Sequence, residues 1–295
     1  MEQKGLPQGI VVKAYGGFYF IHAREEEETI RAKPRGRIKQ QGIRILVGDR
    51  VCYRTLNEEQ AVIEKVLKRD TLLPRPPLAN VDRVVVTFSF RDPDLNLGLL
   101  DRYLLLVEYA GLEAVICLNK EDLREDLELD SRLKRYGEAG YKILFCSAVT
   151  GSGMAELRRS LRHGVNVFAG PSGVGKSALL NALDPSFQLK TGTLSRKLKR
   201  GKHTTRHAML LILDGDTYVA DTPGFSSLKI SGLEKRELPY YFLDFLPYQD
   251  QCRFSGCLHH HEPDCAVKEA VEAKEIMESR YRSYLTILKE IEERK

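Results

Sequence analysis

The chain of 295 residues contains no run of about 18 uncharged apolar residues, which excludes an ordinary membrane-spanning helix. Its first residues, MEQKGLPQGI, lack the basic and apolar regions of a secretory signal. No internal repeat or low-complexity tract stands out. We therefore expect a cytoplasmic protein that does not bind membranes and is a monomer.

The composition is that of a globular protein, with 42% hydrophobic and 29% charged residues. The length suits two or three compact units. A net charge of +5 is mild, but Lys and Arg are concentrated in residues 1–70 and 190–206. Such basic patches suit an anionic partner such as nucleic acid, although a solvated charged surface would have the same composition.

The pattern along the chain predicts a multidomain α/β protein with three parts, at residues 1–70, 71–229 and 230–295. Five short β-patterned runs within 9–67 predict a small barrel of the OB type, although an SH3-like barrel would leave nearly the same pattern. The proline-rich stretch 72–80 predicts a linker or domain boundary. Strands then alternate with helices, which favours a mostly parallel sheet covered on both faces.

The last part, from about Ile230, is predicted to be helical, with one long charged helix over 266–293. The apolar positions of this helix approximate one face, namely Val267, Val271, Tyr281, Tyr284, Leu285, Leu288 and Ile291.

A phosphate-binding loop is predicted at GPSGVGKS, which follows a strand and opens a helix. Its glycines allow backbone N–H groups to surround phosphates at a helix N-terminus. Lys176 can reach the β- and γ-phosphates, and the Ser177 hydroxyl can ligate Mg²⁺. The predicted nucleotide-binding residues here are Gly170, Pro171, Ser172, Gly173, Val174, Gly175, Lys176, Ser177 and Ala178.

The sequence DTPG ends a later strand and predicts the Mg²⁺ and γ-phosphate side of the same site. The Asp221 carboxylate belongs where a Mg²⁺-bound water must be held, and Gly224 lets the backbone approach the γ-phosphate.

The motif NKED, at the end of the strand AVICLN, predicts recognition of guanine. The Asp122 carboxylate can accept from both N1–H and the exocyclic amine of guanine, a pair that adenine does not offer. Asn119 supports the loop and the O6 edge, and the Lys120 stem can lie over the base. Glu121, between Lys120 and Asp122, completes the predicted guanine-binding motif. Backbone N–H groups at Ser147–Ala148, after the next strand, can bind O6.

The guanine motif precedes the phosphate loop, the reverse of the usual order in a GTPase. The nucleotide site of such a domain is formed by loops at the ends of neighbouring strands. The order of these loops along the chain can therefore change if the N- and C-termini of the usual domain are joined. The segment 153–162 with the connector Arg162-His163-Gly164 is the predicted join. The sequence therefore predicts a circularly permuted P-loop GTPase domain.

The basic segment SRKLKRGKHTTRHAML, before DTPG, is the predicted first switch. Thr205 is the expected Mg²⁺ ligand there, with Thr204 as the alternative. GTPases often place a Gln soon after DxxG to orient water, but Phe225 follows Gly224. His203 is therefore the candidate catalytic residue, although a solvent or RNA contact fits it equally well. We expect slow intrinsic turnover that a partner stimulates by ordering this switch.

The six cysteines form two groups. Three of them are isolated in apolar runs and are expected in cores as small hydrophobes: Cys52, Cys117 and Cys146. The others form a cluster with one histidine that predicts a closed, structural zinc site: Cys252, Cys257, His259 and Cys265. His260 and His261 are competing ligands. The spacing is not that of a common CxxC finger.

Basic residues occupy every second position from 31 to 39: Arg31, Lys33, Arg35, Arg37 and Lys39. In an extended strand they would share one side and track phosphates, but Pro34 and Gly36 can break the strand and produce a basic loop. Four nearby aromatic residues could stack on bases, although such aromatics in small barrels more often belong to the core: Tyr15, Phe18, Tyr19 and Phe20.

Together these motifs resemble the bacterial small-subunit-dependent GTPases of the RsgA (YjeQ/YloQ) family, over essentially the whole chain. The resemblance rests on a basic OB-like barrel, the permuted order NKED, SA, GPSGVGKS, HTT and DTPG, and the Cys/His tail. It implies late maturation of the small ribosomal subunit, contact with its ribosomal RNA (rRNA), and GTP hydrolysis that the subunit stimulates. It also implies catalysis by His203, one structural Zn²⁺, and Mg²⁺ with GTP.

Other functions fit parts of the pattern. A signalling or transport switch with a protein partner leaves the basic barrel and the Cys/His tail unexplained. A non-enzymatic RNA-binding assembly factor leaves the complete set of GTPase motifs unexplained, and an ATPase is disfavoured by NKED.

Overall fold

The first part of the chain is a closed five-stranded barrel. The computed structural model describes residues 5–23, 28–74, 77–125, 127–161, 163–189, 209–221 and 232–294. The barrel strands are β1 (Gln8–Tyr15), β2 (Phe18–His22), β3 (Thr29–Pro34), β4 (Arg50–Asn57) and β5 (Gln60–Val66). They close in the order β1-β2-β3-β5-β4, with β3 parallel to β5 and the other pairs antiparallel. The OB-like barrel is thus confirmed.

The basic run at 31–39 does not form one extended face. Strand β3 ends at Pro34, and a short helix α1 (Gly36–Gln40) begins two residues later. Arg31 and Lys33 point outward from β3, because Ile30 and Ala32 alternate with them and are buried. Arg35 and Arg37 lie on the turn and the helix, so the alternative of a broken strand is the correct one.

The proline-rich stretch 72–80 forms a hairpin of β6 (Leu72–Pro74) and β7 (Pro77–Ala79). Leu73 and Leu78 are buried in the same apolar cluster as Val47 of the barrel and Val81 of the next strand. This predicted linker is therefore packed into the junction between barrel and sheet. A ribbon of two strands tolerates prolines because each strand has an open edge.

The middle of the chain is a six-stranded sheet in the order β10-β9-β8-β11-β13-β12. The strands are β8 (Val81–Ser89), β9 (Glu113–Asn119), β10 (Lys142–Phe145), β11 (Gly164–Ala169), β12 (Leu211–Asp214) and β13 (Thr217–Asp221). All neighbours are parallel except β12 and β13. This is the mostly parallel sheet that the alternation of strands and helices predicts.

Helices cover both faces of this sheet. One apolar cluster contains buried residues of α2 (Leu97–Tyr109) and α3 (Leu127–Glu138), and another contains those of α4 (Met154–Ser160) and α5 (Lys176–Leu183). Strand β9 supplies both clusters alternately, which explains its nearly continuous apolar sequence. The segment predicted as the join contains α4 and leads into β11, and its residue Arg162 lies outside the described residues.

The last part of the chain contains α6 (Leu246–Gln249), α7 (Ala266–Glu272) and α8 (Glu278–Glu292). The prediction of one helix over 266–293 is wrong. After Ala273 the chain turns at Lys274, with φ 61°, and Ile276 enters the core with 1% exposure. The N–H groups of Glu275 and Ile276 both donate to Ala270 O, so burial of one side chain outweighs continuation of the helix.

The apolar positions predicted for one helical face nevertheless pack into one cluster, together with Phe242 and Phe245. Cys117 and Cys146 are buried free thiols, as expected, whereas Cys52 is only half-buried because it points outward from β4. No helix among the described residues is both long and apolar enough to span a bilayer.

Candidate nucleotide site and metal cluster

The loop after β11 lies near the centre of the sheet, beside the ends of β8 and β9. A side chain at Gly170 would meet the carbonyl oxygen of Thr87, and one at Gly175 would meet the Asn119 amide. Gly175 also has φ 92°, a left-handed conformation that favours glycine. The loop therefore requires glycine at both positions, so that the backbone can turn tightly against β8 and β9.

Lys176 and Ser177 occupy the first turn of α5, where the predicted phosphate contacts belong. The Lys176 ammonium donates to the carbonyls of Gly170 at 2.9 Å and Pro171 at 2.8 Å. Burial lowers the pKa of Lys176, and the nearby Asp221 carboxylate opposes that shift. The ammonium is thus held over its own loop, within reach of any anion that the loop surrounds.

Ser177 and Asp221 meet across the sheet as predicted, with Ser177 Oγ donating to Asp221 Oδ2 at 2.6 Å. Asp221 Oδ1 is buried and has no hydrogen-bond partner among the described residues. A hydroxyl and a carboxylate are suitable Mg²⁺ ligands, and an unsatisfied oxygen is one that a metal-bound water would satisfy. The residues present therefore fit Mg²⁺. Thr204, Thr205, His203 and Gly224 lie outside the described residues.

Asn119 connects the three loops of the predicted site. Its Nδ2 donates to Val174 O at 2.8 Å, and its Oδ1 accepts from Ala148 N–H at 3.2 Å. With 2% exposure, this amide fixes the guanine loops against the phosphate loop. The two motifs that are separated in the sequence are thus joined by one side chain.

The rest of NKED is arranged around the loop at 147–152. Ser147 Oγ donates to Asp122 Oδ1 at 2.5 Å and orients that exposed carboxylate. Glu121 accepts from Ser152 Oγ at 2.7 Å, so it stabilises the loop rather than pointing freely to a base. Lys120 has φ 59°, and its ammonium contacts the Asp92 carbonyl.

The backbone donors predicted for guanine O6 are bonded inside the protein. Ser147 N–H donates to Ser152 O at 3.0 Å, and Ala148 N–H donates to Asn119 Oδ1. The Ala148 bond is the longer one, at 3.2 Å. Of the two groups, Ala148 N–H is therefore the better placed to share its proton with a ligand oxygen.

The four predicted metal ligands come together in the last part of the chain. The ligand atoms of Cys252, Cys257, His259 and Cys265 all lie within 4.8 Å of one another and could hold a metal ion. His259 Nδ1 is 3.5 Å from Cys252 Sγ and 3.4 Å from Cys265 Sγ, and those two sulfurs are 3.8 Å apart. His260 and His261 stack on each other, with ring centroids 3.5 Å apart, and are not in the set.

Side chains around this Cys/His cluster hold its loop in place by hydrogen bonds. Glu262 accepts from the N–H groups of Leu258 at 2.8 Å and His260 at 3.0 Å. Burial would raise the pKa of Glu262, but these backbone donors lower it to about 2. Tyr281 and Tyr284 on α8 donate to the carbonyls of His259 and Leu258.

The buried charge of Arg280 was not predicted by any pattern in the sequence. Arg280 is 2% exposed and pairs with Asp101 of α2 at 2.8 Å and with Asp244 at 2.6 Å. Burial alone would lower its pKa, but the two carboxylates outweigh burial and raise the pKa well above the usual value. These ion pairs join the last part of the chain to helix α2 of the sheet, and Asp101 is far from Arg280 in sequence.

The barrel also contacts the sheet next to the predicted first switch. Leu210 N–H donates to Val12 O at 2.9 Å, and Lys13 forms a β-bridge with Met209. His22 Nδ1 lies 2.8 Å from the Tyr218 hydroxyl on β13, the strand that ends at Asp221. Strand β1 thus contacts Met209 and Leu210, the last two residues of the predicted switch segment.

Comparison with known proteins finds the same combination elsewhere. Residues 66–231 match the family model described as RsgA GTPase, and residues 8–63 match the RsgA N-terminal domain. A protein named small ribosomal subunit biogenesis GTPase RsgA, from Caldanaerobacter subterraneus subsp. tengcongensis, is 44% identical over 97% of this chain and 96% of its own. A protein of the same name from Clostridium novyi is 42% identical over 96% of this chain and 97% of its own.

Two solved structures have this architecture. The crystal structure of YloQ, described as a circularly permuted GTPase, has a TM-score of 0.84 and 36% identity, covering 100% of this chain and 99% of that one. The crystal structure of YjeQ from Thermotoga maritima has a TM-score of 0.86 and 40% identity, covering 98% of this chain and 99% of that one.

Proposed function

This chain belongs to the RsgA GTPase family, and from that premise we propose that it binds the small ribosomal subunit and assists its late maturation. It is a GTP-hydrolysing enzyme with a circularly permuted GTPase fold. The observation that carries the proposal is the 44% identity over 97% of the chain to a protein named for small-subunit biogenesis.

Guanine nucleotide would bind across the ends of β9, β10 and β11. Asp122, oriented by Ser147, would accept from the guanine N1–H and amine, and Ala148 N–H would donate to O6. The loop 170–175 with Lys176 would surround the phosphates. On binding, the Lys176 ammonium would exchange the carbonyls of Gly170 and Pro171 for phosphate oxygens.

Mg²⁺ would be held by Ser177 and, in the GTP state, by Thr205, with Asp221 orienting a metal-bound water. The bound ion neutralises charge between the β- and γ-phosphates. Asp221 Oδ1, which is buried and has no hydrogen-bond partner in the described part of the chain, supports this assignment. Gly224 and the catalytic candidate His203 complete the proposed site, and their roles rest on the sequence and the family resemblance.

The metal of the Cys/His cluster is, we infer, a structural Zn²⁺. With Zn–S of about 2.3 Å and Zn–N of about 2.0–2.1 Å, tetrahedral ligand atoms lie about 3.5–3.8 Å apart. The separations among Cys252, His259 and Cys265, which are 3.4, 3.5 and 3.8 Å, are close to these values, and Cys257 Sγ lies within 4.8 Å of the other three ligand atoms. Three thiolates and one imidazole leave no open position, so the ion would stabilise the loop rather than catalyse a reaction.

The outer face of the barrel is the proposed contact with rRNA. The Arg31 guanidinium carbon lies 4.9 Å and the Lys33 ammonium 4.6 Å from the centroid of the Phe18 ring. The outer face of strands 2 and 3 is where OB folds bind oligonucleotides, and an aromatic ring beside cations can stack on a base. The limits 1–70, 71–229 and 230–295, a monomeric state and a cytoplasmic location stay predictions.

The test is phosphate release from GTP by the pure protein, alone and with purified small ribosomal subunits, with large subunits and ATP as controls. We expect slow release alone and strong stimulation by small subunits only, because the subunit would order the switch. Equal rates with small subunits, with large subunits and without subunits would contradict the proposed partner. Equal turnover of ATP and GTP would contradict guanine recognition.

A further inference from the structure

We propose that Arg35, Arg37 and Arg54 form a preorganised binding site for an RNA phosphodiester group, and that Glu64 holds them in place. This inference rests on the proposed rRNA-binding function and adds a defined site to it. The four residues are called the Glu64 cluster below.

The arginines of the Glu64 cluster come from three different elements. Arg35 follows β3 and places Nη1 2.6 Å from Glu64 Oε2, while Arg54 on β4 places Nε 3.3 Å from Oε1. Arg37 on α1 donates from Nη2 to the Glu64 carbonyl at 2.8 Å and lies 3.7 Å from Oε2. One residue of β5 therefore orients three guanidinium groups.

Burial separates the roles within the cluster. The Glu64 side chain is 6% exposed, whereas those of Arg35, Arg37 and Arg54 are 55%, 56% and 58% exposed. The hydrogen bond from Arg35 lowers the pKa of Glu64, as does the one from Arg54, so the carboxylate is charged at neutral pH. The Glu64 carboxylate is therefore buried beneath the three guanidinium groups, which are exposed to solvent.

The charge and the donors of the cluster suit a phosphate group. Three cations and one carboxylate leave a net charge of +2, and Glu64 is the only carboxylate paired with these arginines within the described part of the chain. Each guanidinium carries five N–H donors in a rigid fork, so most donors remain available. Arginines that are already oriented lose less conformational entropy when they bind the two free oxygens of a phosphodiester.

The position of the cluster favours RNA over a free phosphate ion. Arg35 follows directly on the outward row of Arg31 and Lys33, which lie over Phe18. A strand whose base stacks on Phe18 could therefore continue its backbone onto the cluster. The exposed guanidinium groups lie beside the end of β3, next to the outward side chains of Arg31 and Lys33, and they are open to solvent.

Glu64→Gln is the decisive variant because two explanations predict opposite results. If the arginines were only a diffuse basic patch, loss of a negative charge would strengthen RNA binding. If Glu64 positions them, RNA binding should weaken about threefold to tenfold, although the surface becomes more positive. The measurement is the fluorescence anisotropy of a labelled single-stranded RNA of mixed sequence, titrated at several salt concentrations.

Arg35→Lys and Arg54→Lys keep the charge but remove the planar fork, and each should weaken binding about tenfold. Arg50→Lys is the matched control, since Arg50 is also on β4 and pairs with the exposed Asp70 instead. We expect its binding to equal that of the wild type. The midpoint of thermal unfolding verifies that each lysine variant is folded, and these variants decide the question if Glu64→Gln is unfolded.

The inference is overturned if Glu64→Gln binds RNA more tightly and the Arg35→Lys and Arg54→Lys proteins bind like Arg50→Lys. It is also overturned if inorganic phosphate competes with RNA at the same low concentration at which RNA itself binds, because the site would then serve free phosphate. Wild-type GTP turnover with small subunits is measured in parallel. Stimulated wild-type turnover with unaffected variants refutes only the Glu64 cluster, whereas absent stimulation refutes the proposed function itself.

Discussion

Replacement of Arg280 by Leu should strongly destabilise the contact between the last part of the chain, residues 232–294, and helix α2. The variant removes the cation and leaves Asp101 buried, with the Tyr136 hydroxyl at 2.6 Å as its remaining partner of those described here. The second carboxylate oxygen of Asp101, Oδ2, is already without a partner among the described residues. Removal of one member of a buried ion pair costs about 3–5 kcal/mol.

The lower end of that range applies because Asp244 retains 14% exposure of its side chain and regains some hydration. For a protein of this size, about 3 kcal/mol lowers the midpoint of thermal unfolding by roughly 6–12 °C. The assay is thermal unfolding followed by circular dichroism, with calorimetry to detect separate transitions of the different parts.

Arg282→Leu is the control, since it lies on the same helix and pairs with Glu278 at the surface, where the two side chains are 73% and 67% exposed. An exposed pair contributes about 0–1 kcal/mol, so its midpoint should fall by no more than about 4 °C. Addition of Asp101→Asn to Arg280→Leu should recover part of the loss, because the uncompensated charge disappears. Equal shifts for Arg280→Leu and Arg282→Leu would refute the reasoning.

Further predictions concern the proposed ligands. Asp122→Asn should weaken GTP binding about 100-fold or more in competition assays. It should favour xanthosine triphosphate, because xanthine has a carbonyl where guanine has its exocyclic amine. An unchanged preference for GTP would contradict the assignment. Ser177→Ala should raise the Mg²⁺ concentration for half-maximal turnover about tenfold, and a wild-type Mg²⁺ titration would argue against it. Cys265→Ser should abolish zinc in atomic absorption while Cys52→Ser retains it; equal zinc contents would exclude the cluster. His203→Ala should lower subunit-stimulated turnover about 100-fold or more with nucleotide affinity retained, and unchanged stimulated turnover would remove it from catalysis.

Local motifs could be predicted because each is contiguous in the chain. Gly170 to Ser177 carries its chemistry within eight positions, and α5 begins at Lys176 as its sequence predicts. The β-patterned runs of the barrel match β1 to β5 closely, since alternating burial leaves a direct trace in the sequence. The four predicted metal ligands also lie within a short segment, and the structure groups His259, but not His260 or His261, with the three cysteines.

Errors arose where packing between distant segments outweighed local preference. Nothing in the sequence Ala-Lys-Glu-Ile-Met at 273–277 terminates a helix, yet burial of Ile276 separates α7 from α8. The prolines at 72–80 predict a linker or a domain boundary, and they do not predict that Leu73 and Leu78 are buried where barrel and sheet meet. The hydrophobic pattern of one segment does not indicate which distant segment will pack against it.

The sequence by itself determined the permuted order of the GTPase motifs and the family to which the chain is similar, and it predicted a role for each motif. These follow from short stretches in which residue type and spacing limit the chemistry. Only the tertiary structure decided how the parts are joined. Asn119 connects the loops predicted to bind guanine to the phosphate loop. Arg280 joins the last part of the chain to α2, and Glu64 contacts three arginines from different segments. Each contact brings together residues from different parts of the chain, and their proximity exists only once the chain has folded.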